Sequence, residues 1–272
     1  MGAVPVKTAV CRLCAGPVDR VRSMKVLGRH EVGLHQCRMC RFIQTDTPWW
    51  LDEAYSSAIT ATDVGLVARC TALSGRIPSV LACAPRRGSS VLDWGGGYGL
   101  LTRMLRDRGI DCWHWDPHCV NIHAPHHGAD VTDRERWGAI LAVEVLEHLV
   151  DPWQFFRPAA LKADLLVVTT CLAPEGPIPG KDWWYWAPEH GQHVSFYTRR
   201  SMEHVADEIG MVYTPAGQMH VFSRGIGTAR RLAMRISPVR RMIERMRRTR
   251  SLLRADYREA VNRASGLETG PD

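Results

Sequence analysis

Between residues 89 and 223 the chain alternates two hydrophobic periods. "SSVLDWG" from Ser89 is a short continuous apolar run that stops on glycine, as a buried strand does. "LLTRMLRDRG" from Leu100 spaces its apolar residues three and four apart and ends at Gly109, which reads as an amphipathic helix, and "IDCWHWD" from Ile110 returns to a strand. The alternation continues with "WGAILAVEV" as strand, "PWQFFRPAALK" as helix, "ADLLVVTT" as strand and "TRRSMEHVADEIG" as a helix with Thr198 at its N-cap. "MVYTP" and "QMHVFS", joined by Ala-Gly, form a hairpin at the sheet edge. Strands alternating with helices predict an α/β fold with a mostly parallel sheet and ligands beyond the carboxyl ends of its strands.

Flanking this body are a cysteine-paired head and an arginine-rich tail. The predicted organisation is a module over 1–45, a helical linker and lid over 46–87, the α/β domain over 88–223 and a basic helical tail over 224–272. The longest apolar run, "LLVVTTCLA", is too short to span a bilayer, and "MGAVPVKTAV" lacks the apolar core of a signal peptide, so the chain reads as cytoplasmic. Residues 224–263 hold 13 Arg and three acids, whereas residues 1–223 are almost balanced. The net charge of +7 therefore belongs to the tail.

Nine cysteines in a reducing compartment seldom form disulfides. Four of them occur as Cys11-x2-Cys14 and Cys37-x2-Cys40, close to the spacing of a structural zinc ribbon, and four thiolates complete a tetrahedral shell with no position left for water. Buried, unligated thiols are the alternative, and His35 reads as a surface residue beside a complete ligand set.

"VLDWGGGYG", Val91 to Gly99, closes a strand and opens a helix, and Gly95, Gly97 and Gly99 let a ligand approach the backbone. Asp93 precedes the turn, where it would repel a pyrophosphate and suit a cation. Asp116 in "WHWDP" stands about twenty residues on, where a carboxylate accepts from ribose hydroxyls, and Asp130 in "GADV" stands near the end of a third strand. Either Asp alone is also an ordinary turn or cap residue.

"VLDWGGGYG", "WDPH", "ADV" and "AVEVLEHLVDP" resemble, in order, the motifs of class I S-adenosylmethionine-dependent methyltransferases, over roughly residues 85–223. "EVLEHLVDP" is similar to the branch holding ubiquinone-biosynthesis O-methyltransferases and small-molecule and sugar methyltransferases. The resemblance implies a Rossmann-like sheet of seven strands, the last antiparallel, behind a zinc-ribbon-like module. It implies that Asp93, Gly95 and Gly97, with Gly99 in the same loop, line the methionine part of the cofactor, that Asp116 holds the ribose, that Asp130 and Val131 border the adenine, and that Glu144 faces the amino acid portion. The head and "TPWWLDEAYSS" resemble the zinc-binding region that precedes some sugar and natural-product methyltransferases, where a tyrosine-bearing segment covers the active site; Tyr55 takes the comparable place, with simple packing as its alternative.

After the Pro/Gly-rich "CLAPEGPIPGKD" comes "WYWAPEHGQHVSFY", Trp184 to Tyr197, with five aromatic residues and two histidines, too aromatic for a solvent loop and not alternating as a strand would. It is placed as an acceptor-side lid. In related methyltransferases this region ends in a histidine followed by an aromatic pair, which "HVSFY" matches. His193 is the first choice for general base and His190 the second, since an ordinary imidazole, with a pKa of about 6.5, takes protons at neutral pH. Glu189 would orient an imidazole or bind a substrate hydroxyl, and His148 is a further candidate base or, equally, a residue that caps or braces the turn after the fourth strand. Both histidines also admit a structural role, and Trp183, Trp184 and Trp186 read as apolar walls or as lid packing. The expected reaction is transfer of a methyl group from S-adenosylmethionine to a hydroxyl of a saccharide or secondary metabolite. An RNA methyltransferase, gripping its substrate with the zinc module and the basic tail, and a non-catalytic scaffold binding zinc and cofactor are the competing readings. The tail itself, with Ile236, Val239, Met242, Ile243 and Met246 at helical spacing among arginines, reads as a basic amphipathic helix after Pro238. It either docks on the body, contacts an anionic membrane and a lipid-linked substrate, or binds nucleic acid.

Overall fold

The computed structural model describes residues 10–56, 63–83, 89–246 and 250–264. In chain order they form β1 (Val18–Val26), β2 (His30–Cys37), β3 (Ile43–Thr45), α1 (Leu51–Ala54), α2 (Leu66–Ser74), α3 (Ile77–Leu81), β4 (Val91–Trp94), α4 (Leu100–Asp107), β5 (Cys112–Trp115), β6 (Ala139–Val143), α5 (Trp153–Lys162), β7 (Leu165–Thr169), β8 (Ser195–Phe196), α6 (Arg199–Glu208), β9 (Val212–Ala216), β10 (Met219–Ser223), α7 (Thr228–Arg235), α8 (Ser237–Met246) and α9 (Leu253–Ala264). Parts of the expected linker and tail, 57–62, 84–87, 247–249 and 265–272, lie outside the described residues. No helix among those described is long and apolar enough to cross a membrane.

The main sheet has the order β5-β4-β6-β7-β10-β9. β4 runs parallel to β5 and β6, and β10 runs antiparallel to both β7 and β9, so the α/β architecture and the terminal hairpin agree with the sequence pattern. The strand count does not: the described residues give six strands, not seven. The strand expected at "GADV" is reduced to one parallel bridge between His114 and Gly128. Residues 125–130, Pro-His-His-Gly-Ala-Asp, offer no β-branched side chain to pack on a sheet, and Asp130 then turns the chain by accepting from the backbone and hydroxyl of Thr132.

The chain divides within β6 into two compact units: Met1–Asp63 with Ala142–Arg224, and Val64–Leu141 with Gly225–Asp272. The first contains a second sheet of order β1-β2-β3-β8, in which the two residues of β8 pair antiparallel with β3. The aromatic stretch is mostly core here. Tyr185, Trp186 and Phe196 are buried with Leu34 and Ile43, and Trp186 meets Phe196 edge-on at 4.6 Å. Of the three tryptophans read as walls, Trp186 is thus interior, Trp183 leans on it at 4.7 Å, and Trp184 is exposed. Trp50 donates from its indole to the Gly191 carbonyl, 2.8 Å. Gly191 has φ +69°, and a Cβ there would stand 2.7 Å from Val26, so the close approach requires glycine.

α6 starts at a full capping box: Thr198 accepts from the Ser201 amide at 3.1 Å, and the Ser201 hydroxyl accepts from the Thr198 amide at 2.8 Å. Replacing Thr198 by alanine removes one half and is expected to cost about 1 kcal/mol, measured as a lowered urea midpoint with unchanged slope.

In the second unit α4 buries Leu101 and Leu105 and packs against α2. The tail is three helices rather than the one expected after Pro238, with Pro238 in the first turn of α8, where its missing N–H leaves no bond unmade. α9 is anchored by charge: Arg106 gives a fork of two 2.8 Å bonds to Asp256, and Arg103 adds a 2.7 Å contact. Burial works against the Asp256 carboxylate, but the hydrogen bonds from the two arginines outweigh it and hold its pKa down at about 2. α8 is anchored through Arg240, buried, which donates to the Ser79 hydroxyl at 3.1 Å and the Met234 carbonyl at 2.8 Å.

Candidate functional site

The glycine loop lies in the second unit, at the carboxyl end of β4. Gly95, Gly97 and Gly99 have φ of +72°, +57° and +81°, a run of left-handed turns that exposes the backbone and feeds it into α4. The tightest constraint falls on Gly96, which sequence reasoning passed over. A Cβ there would lie 2.7 Å from the His114 ring and 2.9 Å from an Asp93 oxygen, and neither neighbour can swing away: His114 bonds the Gly97 carbonyl at 2.8 Å, and Asp93 accepts from the Thr102 hydroxyl at 2.8 Å. Gly96→Ala is expected to cost about 1–3 kcal/mol by overpacking, read from thermal unfolding, and to displace the loop.

Asp93 is buried directly beneath this turn. Burial raises its pKa to about 6, against the pull of the Thr102 hydroxyl and of His114. Asp116 ends the next strand and ties the loop from the side. Its Oδ1 accepts the amides of His118 and Cys119 at 2.8 and 2.9 Å, and its Oδ2 accepts the Gly97 amide at 2.9 Å. With two lone pairs per oxygen, Oδ2 retains room for one more donor. Asp130 is half-buried, and its pKa is lowered by its bonds to the amide and hydroxyl of Thr132; Val131 follows it and accepts the Trp137 indole at 3.1 Å. The loop is backed by Asn121, whose Oδ1 would stand 2.1 Å from a Cβ on Gly99 and which holds Ala124 by two side-chain bonds.

Glu144 belongs to the first unit. It follows β6 with φ +51°, a left-handed conformation that a non-glycine residue adopts only at a cost, and Thr169 holds it there through a 2.7 Å bond from its hydroxyl to Oε1.

The same unit gathers Tyr55, Glu147, His148, His190 and His193. One carboxylate oxygen of Glu147 and one ring nitrogen each of His148 and His193 lie within 4.8 Å of one another. Glu147 is 1% exposed. The Tyr55 hydroxyl meets Nδ1 of His148 at 3.1 Å, so the tyrosine expected over the site does reach a histidine. The two histidines of the aromatic stretch differ in tautomer. His193 Nδ1 stands 2.8 Å from the Tyr185 carbonyl, an acceptor only, so Nδ1 carries the proton and Nε2 presents a lone pair. His190 Nδ1 instead accepts the Gln192 amide at 3.1 Å, which puts its proton on Nε2. Burial, then the neighbouring His193, depress the pKa of His190 to about 4. Glu189 is exposed beside it. The Glu147–His148 pair was legible only as part of "EVLEHL"; nothing in the local sequence marks it as meeting a histidine 45 positions on.

The four head cysteines converge in this unit as well. Their sulfurs lie within 4.8 Å of one another, with Cys11–Cys40 at 3.6 Å and Cys14–Cys37 at 3.3 Å. A zinc tetrahedron with bonds of about 2.3 Å has edges of roughly 3.8 Å, so the set fits that ion. The two loops repeat one geometry. Cys11 donates to the Gly16 carbonyl and Cys37 to the Phe42 carbonyl, both five residues on, and the residue after each second cysteine, Ala15 and Arg41, is left-handed. Amides of Leu13, Met39 and Cys40 point at sulfur from 3.3 to 3.4 Å, as thiolate ligands require. His35 is not among them, but it is buried rather than on the surface as expected, because Asp46 satisfies its ring at 2.6 Å.

These cysteine loops also grip the histidine segment. Arg12 donates to the Val194 carbonyl at 2.7 Å, the Trp153 indole donates to the Leu13 carbonyl at 3.0 Å, and β8 is the edge strand of the head sheet.

A family model described as a methyltransferase domain matches residues 71–215. No curated protein matches the chain. Among solved structures it is similar to a calicheamicin-biosynthesis methyltransferase with SAH bound, at 14% identity and TM-score 0.44, covering 64% of this chain and 60% of that one. An O-methyltransferase family protein from Burkholderia thailandensis follows at 15% and 0.45, covering 59% and 58%, and human N-acetylserotonin methyltransferase at 14% and 0.42, covering 65% and 66%. The chain thus spans about three-fifths of the length of the first two.

Proposed function

We propose that this chain, which belongs to the methyltransferase-domain family, uses S-adenosylmethionine to methylate a hydroxyl of a small molecule, a saccharide or a secondary metabolite, with His193 as general base. The observation that carries this reading is the His193 tautomer. Its Nδ1–H is committed to the Tyr185 carbonyl, which makes Nε2 the ring nitrogen whose lone pair takes the proton of an acceptor hydroxyl. Glu147, buried close by, stabilises the imidazolium that forms. His190 has the opposite tautomer and, with Nε2 protonated, donates to the acceptor rather than deprotonating it. Tyr55 orients His148 and covers the acceptor side, and Glu189 at the exposed edge receives substrate hydroxyls.

The donor, when bound, supplies a methyl group activated by a sulfonium. Gly95, Gly97 and Gly99 bring the backbone to its methionine part, with the Asp93 carboxylate beneath. Asp116 takes the ribose through the open position on Oδ2, Asp130 and Val131 border the adenine, and Glu144 faces the amino acid portion. Zinc in the four-cysteine cluster has no coordination position for substrate; its part is to hold the segment that carries His193, through Arg12 and β8.

Asp93 makes cofactor binding depend on pH. Above about 6 its carboxylate is ionised and attracts the cationic cofactor; below, it takes a proton and the attraction is lost. Affinity for S-adenosylmethionine is expected to fall as pH drops through 6, by up to about tenfold per pH unit, and Asp93→Asn to flatten that dependence in calorimetric titrations. The acceptor class is tested by supplying S-adenosylmethionine with pooled glycosides, phenolic metabolites and RNA. Labelled methyl on RNA alone overturns the reading.

A further inference from the structure

We propose that α7, α8 and α9 form a docking surface for a bilayer rich in anionic lipid. Each helix is held to its unit by one set of residues and presents another outward. Ala233 and Met234 of α7, Arg240 of α8 and Asp256 of α9 are buried. Beyond these contacts the segment exposes large apolar side chains: Leu232 of α7 and Ile236 just after it, Met242 and Met246 of α8, and Leu253, Tyr257 and Val261 of α9, with those of α8 and of α9 four positions apart, the spacing that stacks them along a helix. Their exposure is high for residues of this kind, 80% for Met246, 69% for Tyr257 and 57% for Met242.

Arginines keep the same step beside them. Arg231 and Arg235 precede Leu232 and Ile236, Arg241 and Arg245 precede Met242 and Met246, and Arg254 and Arg258 follow Leu253 and Tyr257. All of these arginines are exposed except the half-buried Arg231. Residues 224–263 contain 13 Arg and three acids, and two of the acids are occupied, Asp256 by Arg106 and Arg103 and Glu259 by Arg263. The surface is therefore both apolar and strongly cationic.

That combination selects the partner. A solvated helix face has no use for so many exposed large apolar side chains, and nucleic acid is gripped by cations and stacking rings, with little place for Met, Leu and Val. A bilayer interface takes both components: the apolar side chains enter the acyl boundary, while guanidinium groups reach back to lipid phosphates as paired donors. The requirement for anionic lipid follows from the charge. None of these residues belongs to the glycine loop or the histidine cluster, so the inference stands apart from the catalytic reading.

The test is flotation of the full chain with phosphatidylcholine vesicles, with and without phosphatidylglycerol. Binding is expected only when phosphatidylglycerol is present. Arg241→Gln with Arg245→Gln is expected to lower the partition coefficient roughly 30-fold. Met242→Ser with Met246→Ser, and separately Leu253→Ser with Tyr257→Ser, are each expected to lower it about tenfold. Because these side chains are exposed, thermal melting should be unchanged in all three variants, and the two apolar pairs on different helices give independent readings. No binding to phosphatidylglycerol vesicles overturns the proposal, as does equal binding to both vesicle types. So does a serine series without effect combined with tight, salt-sensitive binding of a single-stranded RNA, which would assign the surface to nucleic acid.

Discussion

If the four-cysteine cluster holds zinc as proposed, replacing Cys37 by serine or treating the chain with a chelator is expected to unfold the first unit rather than merely loosen its head. Structural zinc sites contribute on the order of 10 kcal/mol of apparent folding free energy, more than a typical domain has to spare. In this chain the cluster's loss propagates. Cys37 closes β2 and begins the loop whose Cys40 carbonyl accepts from Thr198, while Arg12, between Cys11 and Cys14, holds the Val194 carbonyl. β8 has only two residues and depends on β3 for its pairing, so it has no independent stability. Two measurements bear on this: metal content, expected at one zinc per chain, and near-ultraviolet circular dichroism, expected to lose the signal of the packed Tyr185, Trp186 and Phe196 cluster. A metal-free chain that keeps its melting temperature would remove zinc from the account.

His193→Ala is expected to lower kcat by roughly a hundred- to ten-thousand-fold while leaving the affinity for S-adenosylmethionine within about twofold of wild type, because the loss falls on proton removal and not on the donor. His190→Ala should cost far less in kcat, since its Nε2 is the protonated nitrogen, and its effect should fall on the acceptor KM. Glu147→Gln keeps the shape and removes the charge beside the histidines; it is expected to cost activity at every pH at which His193→Ala does. Methyl transfer at the wild-type rate by His193→Ala would dismiss this residue as the base.

The element order of the α/β body was legible because its strands and helices differ in hydrophobic period and are punctuated by glycine and by the Thr198 cap, all local signals. The third strand was not, because residues 125–130 carry no β-branched side chain and make only a single bridge where related folds place a full strand. The cysteine cluster was legible from spacing, since two C-x2-C pairs at that interval have few uses other than holding a metal ion. What local sequence could not carry was contact across long separations: Arg12 with Val194, His148 with Tyr55 and His193, and Arg106 with Asp256. The tautomers that separate His193 from His190 depend on single backbone groups, the Tyr185 carbonyl and the Gln192 amide, and no residue pattern announces them. The aromatic stretch shows the same limit. Its composition suggested apolar walls, whereas packing sends Tyr185, Trp186 and Phe196 into the core and leaves Trp184 in solvent.

The proposed methyl donor is S-adenosylmethionine, held on the glycine loop by Asp116. Isothermal titration of the purified protein with S-adenosylmethionine tests it most directly. Saturable binding of one equivalent is expected in the wild type and in His193→Ala, with a loss of about a hundredfold in Asp116→Ala, where a charge-assisted hydrogen bond to the ligand disappears. No binding by the folded, zinc-loaded wild type, or undiminished binding by Asp116→Ala, would contradict it.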